Sequence, residues 1–187
     1  MIYHNGSGHA QFKIASWRHS LNHAVVGFAD SLVRHWLAIF TSVLGAVLGL
    51  AILAPILAYF GVQPLAGSIF AAFHVSCDQI PAHSLYIGGH QVCLCSRCMA
   101  LYGSIFSFSI FYRFNRHLKA LPWQIIVLLL LPMALDGGTQ LFGWRESNLL
   151  LRLLTGSLFG LGIAWFAFPY VQEAANESQP TRTVIAQ

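Results

Sequence analysis

Charge is what this sequence has least of. Ten Lys and Arg and six Asp and Glu make up 9% of 187 residues, where a soluble domain carries about a quarter. That poverty excludes an ordinary soluble globule. Cysteine is scarce as well, and its four residues all fall between positions 77 and 98. There is no glycine-rich nucleotide fingerprint, no GxSxG and no HExxH, so the chemistries those motifs carry lack their residues. What abounds is apolar: 56% of residues are hydrophobic, and the mean hydropathy is +0.62. This is the composition of an integral membrane protein, with room for a handful of spans and one small bundle but no separate soluble domain. A net charge of +4 and a pI near 9.1 would suit nucleic acid in a soluble protein. Here the basic residues sit at segment ends, where topology explains them; no nucleic-acid partner is expected, and the lipid bilayer is.

Residues 1–35 are mixed, with Leu21, Val25, Phe28 and Leu32 at helical spacing opposite Arg18, Asn22 and Asp30. We expect an amphipathic helix at the membrane interface rather than a signal peptide, because the apolar run that follows is too long for one. Residues 36–60 are that run, about 25 residues without charge and enough to cross about 30 Å of hydrocarbon, with a kink at Pro55. After a break at 61–64, the apolar piece 65–75 is about half the length of a span at roughly 1.5 Å per residue, which implies a re-entrant or interfacial half-helix. Pro81, Gly88 and Gly89 mark 80–92 as a loop or short hairpin. Further spans are expected at 94–114, at 121–141 with its end at Asp136-Gly137-Gly138, and at 148–170. The last is capped by Ser147 or Asn148 and carries Gly156 and Gly160 as GxxxG. Residues 171–187 are polar and expected to be disordered. The fold class is all-α: an integral membrane four-helix bundle over 36–170, with an N-terminal amphipathic helix and a half-helix.

Orientation follows from the basic residues. If 65–75 does not cross, Lys13, Arg18, Arg34, Arg113, Arg116, Lys119 and Arg182 share one side and Arg97, Arg145 and Arg152 the other. The richer side is cytoplasmic. Both termini are therefore expected in the cytoplasm, and residues 74–98 at the outer surface of the cell's inner membrane.

Within 74–98 the spacing His74-x2-Cys77, seventeen residues, Cys95-x2-Cys98 is that of two ligand pairs closing one tetrahedral metal site, with Cys93 able to replace one thiol. The other readings are a disulfide or redox pair, and buried thiols with no chemistry. The same topology brings Asp136, Gln140, Arg145 and Arg152 to the level of Arg97 and the cysteines. Charges inside spans normally face a partner or a watery cavity, and Asp136 pairs naturally with Arg152 or Arg97. Three arginines leave such a cavity positive, which favours an anionic or quinone-like oxygen-bearing ligand such as a lipid headgroup. The plainer account is an ion pair that fixes helix register, with Gly137 and Gly138 ending a helix and Arg145 and Glu146 in a solvated turn.

The segments FHVSCDQIPAHS, CSRCMALYG, LDGGTQLFGWRESN and LLRLLTG together resemble an uncharacterised prokaryotic family of multi-span membrane proteins known as a domain of unknown function. The resemblance runs from about residue 66 to 168. By position it marks His74, Cys77, Gln79, Ser84, Cys95, Arg97, Cys98, Tyr102, Asp136, Gln140, Arg145, Ser147 and Arg152. This chain departs from the pattern with Asp78 in place of a His, His83 in place of an Arg and Ala100 in place of a Gly.

Two function classes follow. One is a small membrane protein with a Cys3His site on His74, Cys77, Cys95 and Cys98, holding structural zinc or another transition metal, and serving as an accessory subunit among partner membrane subunits. In it Arg97, Asp136, Gln140, Arg145 and Arg152 are the candidate ligand-binding residues. The alternative is a membrane thiol-disulfide oxidoreductase that works its CxxC against a quinone, with Cys95 and Cys98 activated at a helix N-terminus beside Arg97.

Overall fold

The structure is a computed structural model and describes the backbone of residues 7–143 and 147–185, with the side chains of 27–28, 31–143 and 147–177. The described residues fold into five α-helices, a 3-10 turn and one small hairpin. The first helix, α1 (Ser7–Tyr59), runs unbroken through both the expected amphipathic segment and the first span. No Gly or Pro lies between positions 30 and 40, so the boundary read at 35 is a change of side chains and not of backbone. Pro55 is buried inside α1. The helix ends at Gly61, whose φ of +82° lets its N–H reach the Ala58 carbonyl at 3.1 Å while the Val62 N–H reaches Leu57 at 2.9 Å. These two bonds cap carbonyls that the helix itself leaves open.

Pro64 opens α2 (Gln63–Phe73), eleven residues packed along α1. A 3-10 turn (Pro81–His83) leads into the antiparallel strands β1 (Ser84–Ile87) and β2 (His90–Cys95). Gly88 and Gly89 both have positive φ, as a two-residue hairpin turn requires. A Cβ on Gly88 would meet the Tyr59 ring at 2.8 Å, so the turn sits against the end of α1. Val92, Cys93 and Leu94 on β2 form a core with Ala51, Ala54 and Cys77.

The remaining helices are α3 (Ser96–Phe114), α4 (Trp123–Leu141) and α5 (Leu149–Ile185). Asn148 is the cap of α5: its Oδ1 accepts the Leu151 N–H at 2.9 Å. The helix continues past residue 170, so 171–185, expected to be disordered, is helical. Gly137 and Gly138, read as the end of the third span, lie inside α4, which ends instead at Gly143 with φ +68°. Among the described residues, Ser31–Tyr59, Trp123–Leu141 and Leu149–Glu177 are long and apolar enough to cross a membrane. The segment α3, also expected to span, is not among them, because Arg97, Arg113 and its serines lower its hydropathy. Those serines are satisfied within the protein. Ser104, Ser107 and Ser109 donate to Leu101, Gly103 and Phe106 carbonyls, and Thr41 of α1 donates to Ser109 Oγ at 3.0 Å. A second core of Leu37, Phe108, Tyr112, Ala164 and Phe168 joins α1, α3 and α5 at the end away from the hairpin.

The GxxxG of α5 is the seam with α3. A Cβ at Gly156 would stand 2.6 Å from the Arg97 carbonyl oxygen, and one at Gly160 would stand 2.5 Å from that of Leu101. Neither carbonyl can yield without moving the helix. Gly160→Ala is expected to cost about 1–3 kcal/mol, read as a lower thermal midpoint in detergent. Gly49→Ala, where no atom lies within 4 Å, should leave the midpoint unchanged. Equal effects at the two positions would remove the seam from the account.

Candidate metal centre

Three elements deliver three thiols to one point. Cys77 lies in the turn after α2, where its N–H and that of Ser76 close on the Phe73 carbonyl at 3.1 and 3.0 Å. Cys95 ends β2, and Cys98 lies in the first turn of α3. Ser96 holds the junction, its Oγ donating to the His83 carbonyl at 2.9 Å. The three Sγ atoms fall within 4.8 Å of one another. A tetrahedral ion with bonds of about 2.3 Å would set its sulfurs about 3.8 Å apart, so the cluster is close to the size a metal needs. The Cys95 N–H donates to Cys77 Sγ at 3.3 Å. Hydrogen bonds from Cys98 draw the Cys95 thiol down against the opposing effect of burial. Cys93 behaves differently. It is fully buried in the core, burial pushes its thiol up to about 11, and it is not part of the cluster.

His74, the expected fourth ligand, is not in that group of three. It caps α2, is exposed, and sets its Nδ1 3.2 Å from Gln79 Oε1. It does share with the three cysteines the wall of a cavity of about 660 Å³, which Arg97, Gly137, Gln140 and Arg152 also line. Arg97 forms an ion pair with Asp136, their side chains 18% and 4% exposed. Of the two partners the sequence offered Asp136, the structure shows Arg97. A Cβ at Gly137 would lie 3.9 Å from Arg97 Nη1, an ordinary contact, so the approach does not depend on that glycine. Arg97 Nε and Asp136 Oδ1 are buried and have no hydrogen-bond partner among the described residues. Arg152 donates to Gln140 Oε1 and to the Ser147 carbonyl. Arg145 lies outside the described residues.

Residues 77–166 match a family model described as "Predicted membrane protein (DUF2085)". An uncharacterised protein of Methanocaldococcus jannaschii is 35% identical over 126 residues, which cover 63% of this chain and 80% of that one. The chain belongs to the DUF2085 family. A second relative, an uncharacterised protein of Methanothermobacter thermautotrophicus, is 37% identical over 94 residues, 49% of this chain and 84% of that one. No solved structure matches. The DUF2085 match takes in Cys77, Cys95, Cys98, Arg97, Asp136, Gln140 and Arg152, and it starts three residues after His74.

Two polar residues of this DUF2085 protein that carry no motif of their own turn out to organise the site. Gln79 and Ser84 are marked by the resemblance but explained by nothing in the spacing. Gln91, which nothing marks, donates to the Gln79 carbonyl at 2.6 Å and to Ser84 Oγ at 2.9 Å, tying the hairpin to the cysteine turn.

Proposed function

We propose that this DUF2085 protein holds one zinc or other transition-metal ion on Cys77, Cys95 and Cys98, with His74 as the fourth ligand. The ion would fasten α2 and the hairpin to the start of α3, a structural role that suits an accessory subunit of a larger membrane complex. One observation carries this reading: three thiols from three separate elements converge within 4.8 Å. A redox pair uses two thiols, whereas a metal uses all three. When bound, zinc supplies a cross-link without redox chemistry.

The distribution of basic residues supports both termini in the cytoplasm, α3 as a fourth crossing and the centre at the outer surface of the inner membrane. The cavity beside the ion then opens at that surface. Arg97, Gln140 and Arg152 on its wall, with Arg145 nearby in sequence, suit a ligand bearing anionic or quinone-like oxygens, such as a lipid headgroup. A second reading is favoured by the lowered Cys95 thiol at the start of a helix. There Cys95 and Cys98 would be oxidised to a disulfide as a membrane quinone takes their two electrons and two protons to become a quinol. That reading leaves Cys77 without a task.

Elemental analysis of the purified protein, with thiol labelling in intact cells, tests the proposal. About one metal equivalent per chain is expected. An impermeant maleimide added outside should label Cys77, Cys95 and Cys98 only after a strong chelator has removed the ion. A metal-free protein with two of these thiols joined as a disulfide would establish the oxidoreductase instead. Labelling that requires permeabilised cells would put the centre on the cytoplasmic side.

A further inference from the structure

Gln79 has the least expected backbone in the described chain. Its φ is +52°, the single left-handed non-glycine residue there, and it is buried. A long side chain is strained in that region, and such strain persists where the surroundings enforce it, often beside functional sites. The enforcement is visible. Gln79 Nε2 donates to the Phe70 carbonyl at 2.8 Å near the end of α2, and to the Cys93 carbonyl at 2.9 Å on β2. Carbonyl oxygens only accept, so both amide hydrogens are committed and the orientation of the amide is decided. Its Oε1 is therefore the atom that faces His74 Nδ1 at 3.2 Å. An acceptor at that place requires the hydrogen on Nδ1. A neutral ring then carries its lone pair on Nε2, the nitrogen a metal can use.

We propose that Gln79 is a positioning residue for the metal centre: by fixing the Nδ1–H tautomer of His74 it presents Nε2 as the fourth ligand beside Cys77, Cys95 and Cys98. This rests on the metal reading above. His74 is exposed and shares the cavity wall with all three thiols, which gives its ring room to swing about the Nδ1 hydrogen bond and onto the ion. His83 also lines the cavity and is the rival, but among the described residues no partner fixes its ring. The strained backbone of Gln79 accounts for the reach, because it turns the side chain back from the cysteine turn towards the end of α2.

The test uses the zinc-loaded full chain with 15N-labelled histidine, where two-bond 1H–15N correlations report which ring nitrogen is ligated. With His74 assigned by its loss in His74→Ala, the expected pattern is a metal-bound Nε2 and a protonated Nδ1. A metal on Nδ1, on His83 or on neither ring overturns the proposal. Zinc affinity, measured by chelator competition, should fall about 10–100-fold in Gln79→Leu and in His74→Ala, and no further when the two are combined. If Gln79 only braced the fold, its replacement would weaken binding as much in the His74→Ala background as in the parent. Should Gln79→Leu fail to fold, the spectrum of the parent decides alone. A parent without metal defeats the metal reading itself, whereas metal on the cysteines with His74 unligated defeats only this inference.

Discussion

Purified Cys77→Ser protein is expected to keep less than about a tenth of the metal that the parent holds, and Cys98→Ser the same, while Cys93→Ala keeps all of it. The contrast comes from position, since all four thiols lie within one short stretch. Cys77, Cys95 and Cys98 converge, whereas Cys93 points into the core among Ala51, Ala54 and Val92. A serine cannot replace a thiolate, and structural zinc contributes roughly 10–16 kcal/mol to the folding of small sites, so losing one ligand releases both ion and loop. The loop should then open to protease between α2 and α3. Cys93 is the internal control. As a small buried group whose thiol is held up by its apolar surroundings, it loses only packing on truncation. Metal loss in Cys93→Ala, with Cys77→Ser still loaded, would redraw the ligand set.

Much of the site was legible because ligand spacing is a local property. Cys77 and the pair at 95–98 need only short turns to face one another, and Gly88-Gly89 sets the hairpin between them, whereas His74 stands outside the group of three thiols. The half-helix was legible from length, and α2 is eleven residues as its apolar run implies. What sequence reasoning missed depends on contacts made at a distance. Gly137 and Gly138 look like a stop, yet both lie within α4, which runs on to Leu141. The polar residues after 170 look disordered, yet they continue a helix already nucleated in α5, where propagation is cheap. The left-handed backbone of Gln79 has no local signal at all, since it is enforced by carbonyls of Phe70 and Cys93 and by Gln91. Asp136 pairs with Arg97, while Arg152 donates to Gln140 Oε1 and the Ser147 carbonyl, a division that no composition count reveals.

Replacing Asp136 by Leu should be the most damaging single change away from the thiols, at about 3–5 kcal/mol of stability. Arg97 would be left inside the bundle with its charge and without the carboxylate it now faces. A guanidinium cannot shed its proton, so the cost cannot be avoided by neutralisation. The reverse change, Arg97→Met, is expected to cost less, because a lone buried carboxyl can take up a proton. The double variant Asp136→Leu with Arg97→Met should recover most of the loss, since a buried ion pair replaced whole by apolar groups of similar size is often close to neutral. Stability in detergent gives the three numbers, and their non-additivity is the measure of the pair. Metal content separates the register role from a ligand role. Arg97 stands between Ser96, which anchors the start of α3, and Cys98, so a pair that serves register should disturb the metal in proportion to lost stability. If the double variant regains its stability and its metal but the cavity no longer takes up an anionic headgroup, Arg97 serves the ligand directly. If it regains all three, the pair serves the fold alone and the cavity's selectivity rests on Gln140 and Arg152.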